Sequence, residues 1–241
     1  MTKTELTTDL RDLALKSEMD YFGVTPADRL IDAPEGWRPT DILPGAKSVV
    51  VMGIGIGQGV RHVQRNVNRN SGMPAKYGIY VYQVYGYNIL NDKMNLAAYA
   101  LGKILERDGH TTVPIPASPP YDTKQLLAIF SHRHAAVAAG LGQLGWSKIV
   151  LFPENGPKVR LVSLITEAEL DPSPPYQGPK LCDPDACGRV CAQVCPTKCL
   201  SDEESVNLKI GEVHIEHGAF EKRRCLSAPC GACLMSCPVG G

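Results

Sequence analysis

The first 180 residues of this 241-residue chain contain no cysteine; all nine follow Lys180. A secreted protein stapled by disulfides normally spreads its cysteines through the fold, so this distribution does not suit that class. Long apolar runs are missing too. The longest, Ser48 to Ile56, is broken by glycines and falls well short of the ~20 residues that span a bilayer. Net charge is absent: Lys+Arg and Asp+Glu each number 25, so no overall field draws in nucleic acid or an anionic membrane, and neither is an expected partner. Met1 to Leu15 is polar and charged, with neither the apolar core of a secretory signal nor a twin-arginine pair. A soluble, cytoplasmic protein is the expectation. With 44% hydrophobic and 21% charged residues, the composition is that of an ordinary globular chain of one large or two small domains. Clustered cysteines in such a chain point to metal.

Along the chain, Leu6, Leu10, Leu13 and Leu15 recur at roughly helical spacing, and a strand is expected from Asp20 to Val24. The Pro-, Gly- and Asp-rich segment from Pro34 to Pro44 reads as a loop, and Ala46 to Ile56 as a strand covered on both faces. Gly53, Gly55, Gly57 and Gly59 alternate at its end, but the spacing is not the dinucleotide fingerprint and no suitable helix is expected to start there. Arg61 to Arg69 is a basic stretch, read as a solvated loop or, more sharply, as a clamp for a phosphate or carboxylate. Tyr77, Tyr80, Tyr82, Tyr85 and Tyr87 lie close together, suited to a cavity wall or to an edge strand.

The clearest helix spans Tyr87 to Arg107, with Leu90, Met94, Leu96, Ala97, Leu101 and Leu105 near a 3.6 period and Asp108-Gly109 as its stop. Strands are expected at Thr111 to Ile115, Lys148 to Phe152 and Val159 to Thr166, and a helix ending at a glycine from Ser131 to Gly142. The alternation suggests an α/β sandwich. Half of Asp171 to Lys180 is Pro or Gly, which marks a linker between a domain of residues 1–170 and a module of residues 181–241.

The cysteines form two groups. Cys182, Cys187, Cys191 and Cys195 precede Pro196; Cys225, Cys230, Cys233 and Cys237 precede Pro238. Each ends in C-x3-C-P, as in bacterial two-cluster ferredoxins, where the fourth cysteine of one group ligates the other cluster. The earlier gaps are longer than the ferredoxin pattern, which enlarges the loops without preventing ligation. On that pattern Cys182, Cys187, Cys191 and Cys237 hold one [4Fe-4S] cluster, and Cys195, Cys225, Cys230 and Cys233 the other. Cys199 is left over. Four-thiolate zinc sites also use short spacings, but they have no need of the two prolines.

From Ser131 to Leu170 the sequence reads SHRHAAVAAGLGQLGWSKIVLFPENGPKVRLVSLITEAEL. With Leu43-Pro44-Gly45-Ala46-Lys47-Ser48-Val49 upstream, it resembles the cobalamin-dependent reductases, which comprise reductive dehalogenases and epoxyqueuosine reductase. The resemblance implies an α+β or α/β fold, a nitroreductase-like sandwich followed by a small ferredoxin-like domain. It also implies two [4Fe-4S] clusters, a corrinoid without a lower axial base, a small organic substrate, and a low-potential ferredoxin- or flavodoxin-type donor. The turn from Gly140 through Gly142 to Gly145, with Trp146 and Ser147, would approach the corrin, where bare backbone is useful; His132 and His134, around Arg133 at a helix start, are further cofactor-binding candidates whose plainer role is to satisfy backbone groups or solvent. Arg133 would anchor a phosphate or amide oxygen or polarise a leaving group. Tyr121 or Asp122 would supply the proton that reduction of a carbon–halogen or epoxide-like bond needs. The chain stops without the extension by which epoxyqueuosine reductases engage tRNA, so tRNA modification is not expected. The rival expectation is a non-catalytic electron carrier, or an activator of another enzyme's corrinoid.

Overall fold

A computed structural model describes the chain except residues 69–74, 119–120, 123, 125, 228–230 and 241, and except the side chains of 64–68, 75–77, 121–122 and 226–227. Helix α1 (Lys3–Lys16) opens with a capping box: the Glu5 N–H donates to the Thr2 hydroxyl and the Thr2 N–H to the Glu5 carboxylate. Strand β1 (Tyr21–Pro26), the short α2 (Pro39–Ile42) and β2 (Ser48–Gly55) follow, then α3 (Gln58–Asn68) and α4 (Ala75–Val81). A π-helical segment, Tyr82–Asn88, runs directly into α5 (Ile89–Arg107). The front region closes with β3 (Thr112–Ile115), β4 (Tyr121–Asp122), β5 (Leu127–Ala128), α6 (His132–Ala138), β6 (Gln143–Leu144), β7 (Val150–Leu151) and β8 (Val159–Thr166).

The main sheet has the order β1-β2-β8-β3, and every neighbouring pair is antiparallel, with Ser48 opposite Thr166 and Gly55 opposite Val159. Alternation of helices and strands therefore builds an α+β fold here, without parallel crossovers. Both faces of the sheet are covered, as the unbroken apolar run of β2 requires. Val50, Met52, Val162 and Leu164 point into a core with Leu6 and Leu10 of α1 and Met94 and Leu101 of α5. Val49, Val51 and Ile165 point the opposite way, against Ala135 to Ala139 at α6. The period of two along each strand thus assigns one helix layer to each side.

Beyond the sheet come α7 (Val190–Gln193), the antiparallel hairpin β9 (Leu200–Ile210) and β10 (Val213–Phe220), α8 (Lys222–Ser227) and α9 (Ala232–Ser236). The hairpin reaches back: Ile210 and Ile215 lie in the same core as α6. Residues 171–180 form no helix or strand, yet they are fastened down. Ser173 and Val24 exchange two hydrogen bonds, and Arg29 donates to the carbonyls of Ala138 and Ser173.

Three local expectations change. A helix, α3, does begin behind the alternating glycines, and the basic stretch lies on it as far as Asn68; Arg69 is outside the described residues. The tyrosines from Tyr77 to Tyr87 are helical, not an edge strand. Leu96 stands 69% exposed on the outer side of α5, since its neighbour Ala97 takes the core position. Leu164→Ala, which empties a fully buried position between α5 and β2, is expected to cost about 2–5 kcal/mol in urea unfolding, against less than about 0.5 kcal/mol for Leu96→Ala.

Candidate functional site

The first cysteine group turns on two consecutive left-handed residues, Gly188 and Arg189, which let the chain reverse between Cys187 and α7. Its sulfurs gather with one from the far end of the chain. Burial raises the Cys182 thiol, and Cys187 and Cys237 add to the rise. Burial likewise pushes Cys191 up to about 11, with Cys182, Cys187 and Cys237 contributing. These four sulfurs are therefore mutual neighbours. A backbone donor already faces one of them, the Trp146 N–H at 3.2 Å from the Cys182 sulfur. Trp146 is held in turn by its indole N–H on the Ser201 carbonyl at 2.8 Å and by Arg189 stacked 4.7 Å from its ring.

Cys237 is brought there by two buried cations. Lys158, with no exposed surface, donates to the carbonyls of Cys237 at 3.3 Å and Val239 at 3.0 Å. Arg61, also buried, donates to the Gly240 carbonyl at 3.2 Å. Arg61 is thus a clamp, but on the chain's own C-terminal loop. Sequence patterns carry no signal for either role, because a lone lysine before a strand and an arginine in a polar helix usually face water.

The second group is partly in view. Cys195 and Cys199 touch, sulfur to sulfur at 3.3 Å, and both are buried. Burial would raise the Cys195 thiol, but hydrogen bonds from Cys199 and Thr197 pull it down to about 7, while burial and the Cys195 contact push Cys199 up to about 12. Cys225 lies close enough to act on Cys199. Cys233 packs against Trp146, Cys191 and Leu200. Cys230 lies outside the described residues. No disulfide joins the eight described cysteines.

This donor set fits iron–sulfur cubanes better than lone ions. The donors are sulfur atoms spread over two groups of cysteines, and thiolate sulfur is the ligand that such clusters take. N–H groups on sulfur and a mostly apolar surround are what such clusters use to set potential.

On the other side of the second group lies α6. His132 is fixed by two bonds: Nε2 lies 3.0 Å from the Pro116 carbonyl, which can only accept, so Nδ1 accepts from the Ser163 hydroxyl at 2.9 Å. Both ring nitrogens are engaged by the protein. Burial lowers its pKa to about 4. Arg133 is exposed, and desolvation lowers its pKa; with His134, Lys148 and His217 it forms a polar wall. It donates to the Lys148 carbonyl at 2.7 Å and lies within electrostatic reach of Cys225. His134 is lowered to about 4, by burial first and then by Arg133 and Lys148; Lys148 itself is lowered by burial, Arg133 and Lys222. His217, buried, donates from Nδ1 to the Gly218 carbonyl at 2.9 Å. The sequence offers no hint that Lys148 and His217 belong to this wall.

Arg160 sits nearby, its Nε donating to Asn91 at 3.0 Å and its guanidinium 4.2 Å from the Tyr87 ring. The Tyr87 hydroxyl bonds that of Ser118. Tyr87 closes the π-helical segment, a rare form often found at functional sites. The backbones of Tyr121 and Asp122 are placed in β4, while their side chains lie outside the description. In the glycine turn, a Cβ on Gly140 would meet the Pro174 carbonyl oxygen at 2.0 Å, and one on Gly142 the Leu151 carbonyl oxygen at 2.1 Å. The close approach made here is to the chain's own backbone. Gly145 lies beside Cys182, and Ser147 is half-buried in the turn between β6 and β7.

No family model and no curated protein matches the sequence. Among solved structures, the chain is similar to the catabolic reductive dehalogenase NpRdhA, with a TM-score of 0.69 at 17% identity over 100% of this chain and 32% of that one. It is similar to epoxyqueuosine reductase from Streptococcus thermophilus, with a TM-score of 0.57 at 18% identity, covering 97% of this chain and 65% of the other. An epoxyqueuosine reductase crystallised with a tRNA-Tyr stem loop gives 0.55 at 21% identity, covering 81% and 52%. The chain shares the fold of these proteins, which is the group its motifs resemble, and spans less than two thirds of their length.

His132 gives the fold a pH dependence. Its pKa of about 4 lies below the ~6.5 of an unfolded histidine, so between those values the unfolded chain binds the proton first. The neutral ring's contribution is whole above pH ~6.5 and is lost as pH falls toward 4. In urea unfolding, the wild type should lose about 2 kcal/mol more than His132→Gln between about pH 7 and about pH 5. A difference that does not change with pH would contradict the buried neutral ring.

Proposed function

We propose that this chain is an oxidoreductase that carries electrons through two [4Fe-4S] clusters to a bound corrinoid and a small organic substrate. The observation that carries this reading is the gathering of Cys182, Cys187 and Cys191 with Cys237 on a fold shared with reductive dehalogenases and epoxyqueuosine reductases. One of those similar structures, with a TM-score of 0.68, is described as suggesting a mechanism for B12-dependent dehalogenation.

In this proposal Cys182, Cys187, Cys191 and Cys237 hold one cluster, and Cys195, Cys225, Cys230 and Cys233 the other. Thiolate-bound cubanes supply one-electron transfer at low potential, and a corrinoid supplies a two-electron reductant for carbon–halogen or epoxide-like bonds. The chain's own residues bind, orient and protonate. The wall of Arg133 and Lys148 offers cationic donors for a phosphate, amide oxygen or leaving group beside Cys225 of the second cysteine group. His132 and His134, kept neutral by burial, add no charge to that wall. Near His132, the hydrogen-bonded and stacked Arg160 and Tyr87 add further polar groups. Tyr121 or Asp122 delivers the proton.

A low-potential ferredoxin or flavodoxin is the fitting electron donor, and a reducing compartment such as the cytoplasm keeps the thiolates available. Among the described residues no helix is long and apolar enough to cross a membrane. The balanced charge of 25 against 25 gives no support to a nucleic-acid substrate, for which phosphate neutralisation is the main source of affinity.

Two measurements test the proposal. Anaerobically purified protein titrated with cobalamin should change the corrin spectrum and support low-potential reduction of the cobalt; no change removes the enzyme reading. Tyr121→Phe and Asp122→Ala should leave cluster reduction intact while one of them lowers substrate reduction on the order of 10²-fold or more, the usual scale for a lost general acid. If both variants transfer electrons and turn over as the wild type does, the chain is an electron carrier or a corrinoid activator instead.

A further inference from the structure

Cys199 lies outside both C-x3-C-P groups, yet its sulfur is 3.3 Å from that of Cys195. A disulfide would need about 2.05 Å, so the two are not bonded. The proposed ligation gives Cys195 to the cluster and leaves Cys199 out, so the contact is that of one ligand sulfur beside one thiol. A single proton between them resolves the contact. Cys195 is the acceptor, because its sulfur also faces the Cys199 N–H at 3.4 Å and the Thr197 hydroxyl at 3.6 Å. The Cys195-Pro196-Thr197-Lys198-Cys199 turn makes this convergence: the proline fixes one dihedral, and Lys198 adopts a left-handed φ of 50°. Both residues are buried, 8% and 6% exposed, which limits competition from water for the bond.

We infer that Cys199 is a positioning residue of the second cluster, donating an S–H hydrogen bond to the Cys195 sulfur and thereby setting that cluster's potential without ligating it. The inference rests on the proposed ligation by Cys195. Donors aimed at a ligand sulfur stabilise the more negative, reduced cluster and raise its potential. Three donors on one sulfur therefore set the second cluster above one whose ligands lack them.

The test is anaerobic potentiometric titration followed by electron paramagnetic resonance, with iron and acid-labile sulfide counted on the same samples. Cys199→Ala should keep the wild-type iron and sulfide content and shift one of the two cluster signals to lower potential. Cys199→Ser, whose hydroxyl can still donate, should recover at least part of the shift. Cys195→Ala, the ligand control, should lose the iron of one cluster. If Cys199→Ala and Cys199→Ser both lose iron, Cys199 is a ligand and the inference is overturned; an unchanged potential in Cys199→Ala overturns it equally. A wild type that holds no sulfide overturns the proposed function itself, a result distinct from either.

Discussion

The fully buried ammonium of Lys158, donating to the carbonyls of Cys237 and Val239, is the contact on which the arrangement depends. A charge removed from water must be met by strong partners, and here they belong to the last turn of the chain. Arg61 adds a second grip on the Gly240 carbonyl. The two cations dock the C-terminal loop on the strand end and helix that leave the sheet, and so deliver the Cys237 sulfur to a group that begins 55 residues earlier, at Cys182. Lys158 also favours the thiolate of Cys237, opposing the burial that raises it.

The rest of the site follows from the sheet. Because β2 and β8 alternate their side chains between two cores, α6 is held flat against one face, with Ser163 projecting to the same side to fix the His132 ring. That orientation turns Arg133 outward, toward Lys148 and Cys225. The wall proposed to meet cofactor and substrate and the second cysteine group thus share one rigid support, which suits electron transfer between them.

Much of this was legible in the residues. The C-x3-C-P endings carry the pairing rule behind the proposed ligand sets, and the sulfurs of Cys182, Cys187, Cys191 and Cys237 do lie near one another. The apolar run of β2 implied a doubly covered sheet, and the period of α5 placed Met94 and Leu101 inside. What could not be read were contacts between distant segments. Lys158 and Arg61 look like surface cations until the C-terminal loop is laid over them. The tyrosines are spaced alternately by three and two residues, which fixes neither a strand nor a helix, and the segment is helical beside α3. Gly140 and Gly142 have the spacing of a ligand-facing turn, but Pro174 and Leu151 of the same chain occupy the space they leave. Cys199 stands beyond the motif, which ends at Pro196, so the pattern leaves it over without a role.

The account stands on two polynuclear clusters with Cys237 crossing to the first. Crystals of anaerobically purified protein, with anomalous scattering collected at the iron absorption edge, test this most directly. The account predicts two compact four-iron groups, one bonded to Cys182, Cys187, Cys191 and Cys237. Single metal ions, a disulfide among these cysteines, or Cys237 bonded within the other group would contradict it.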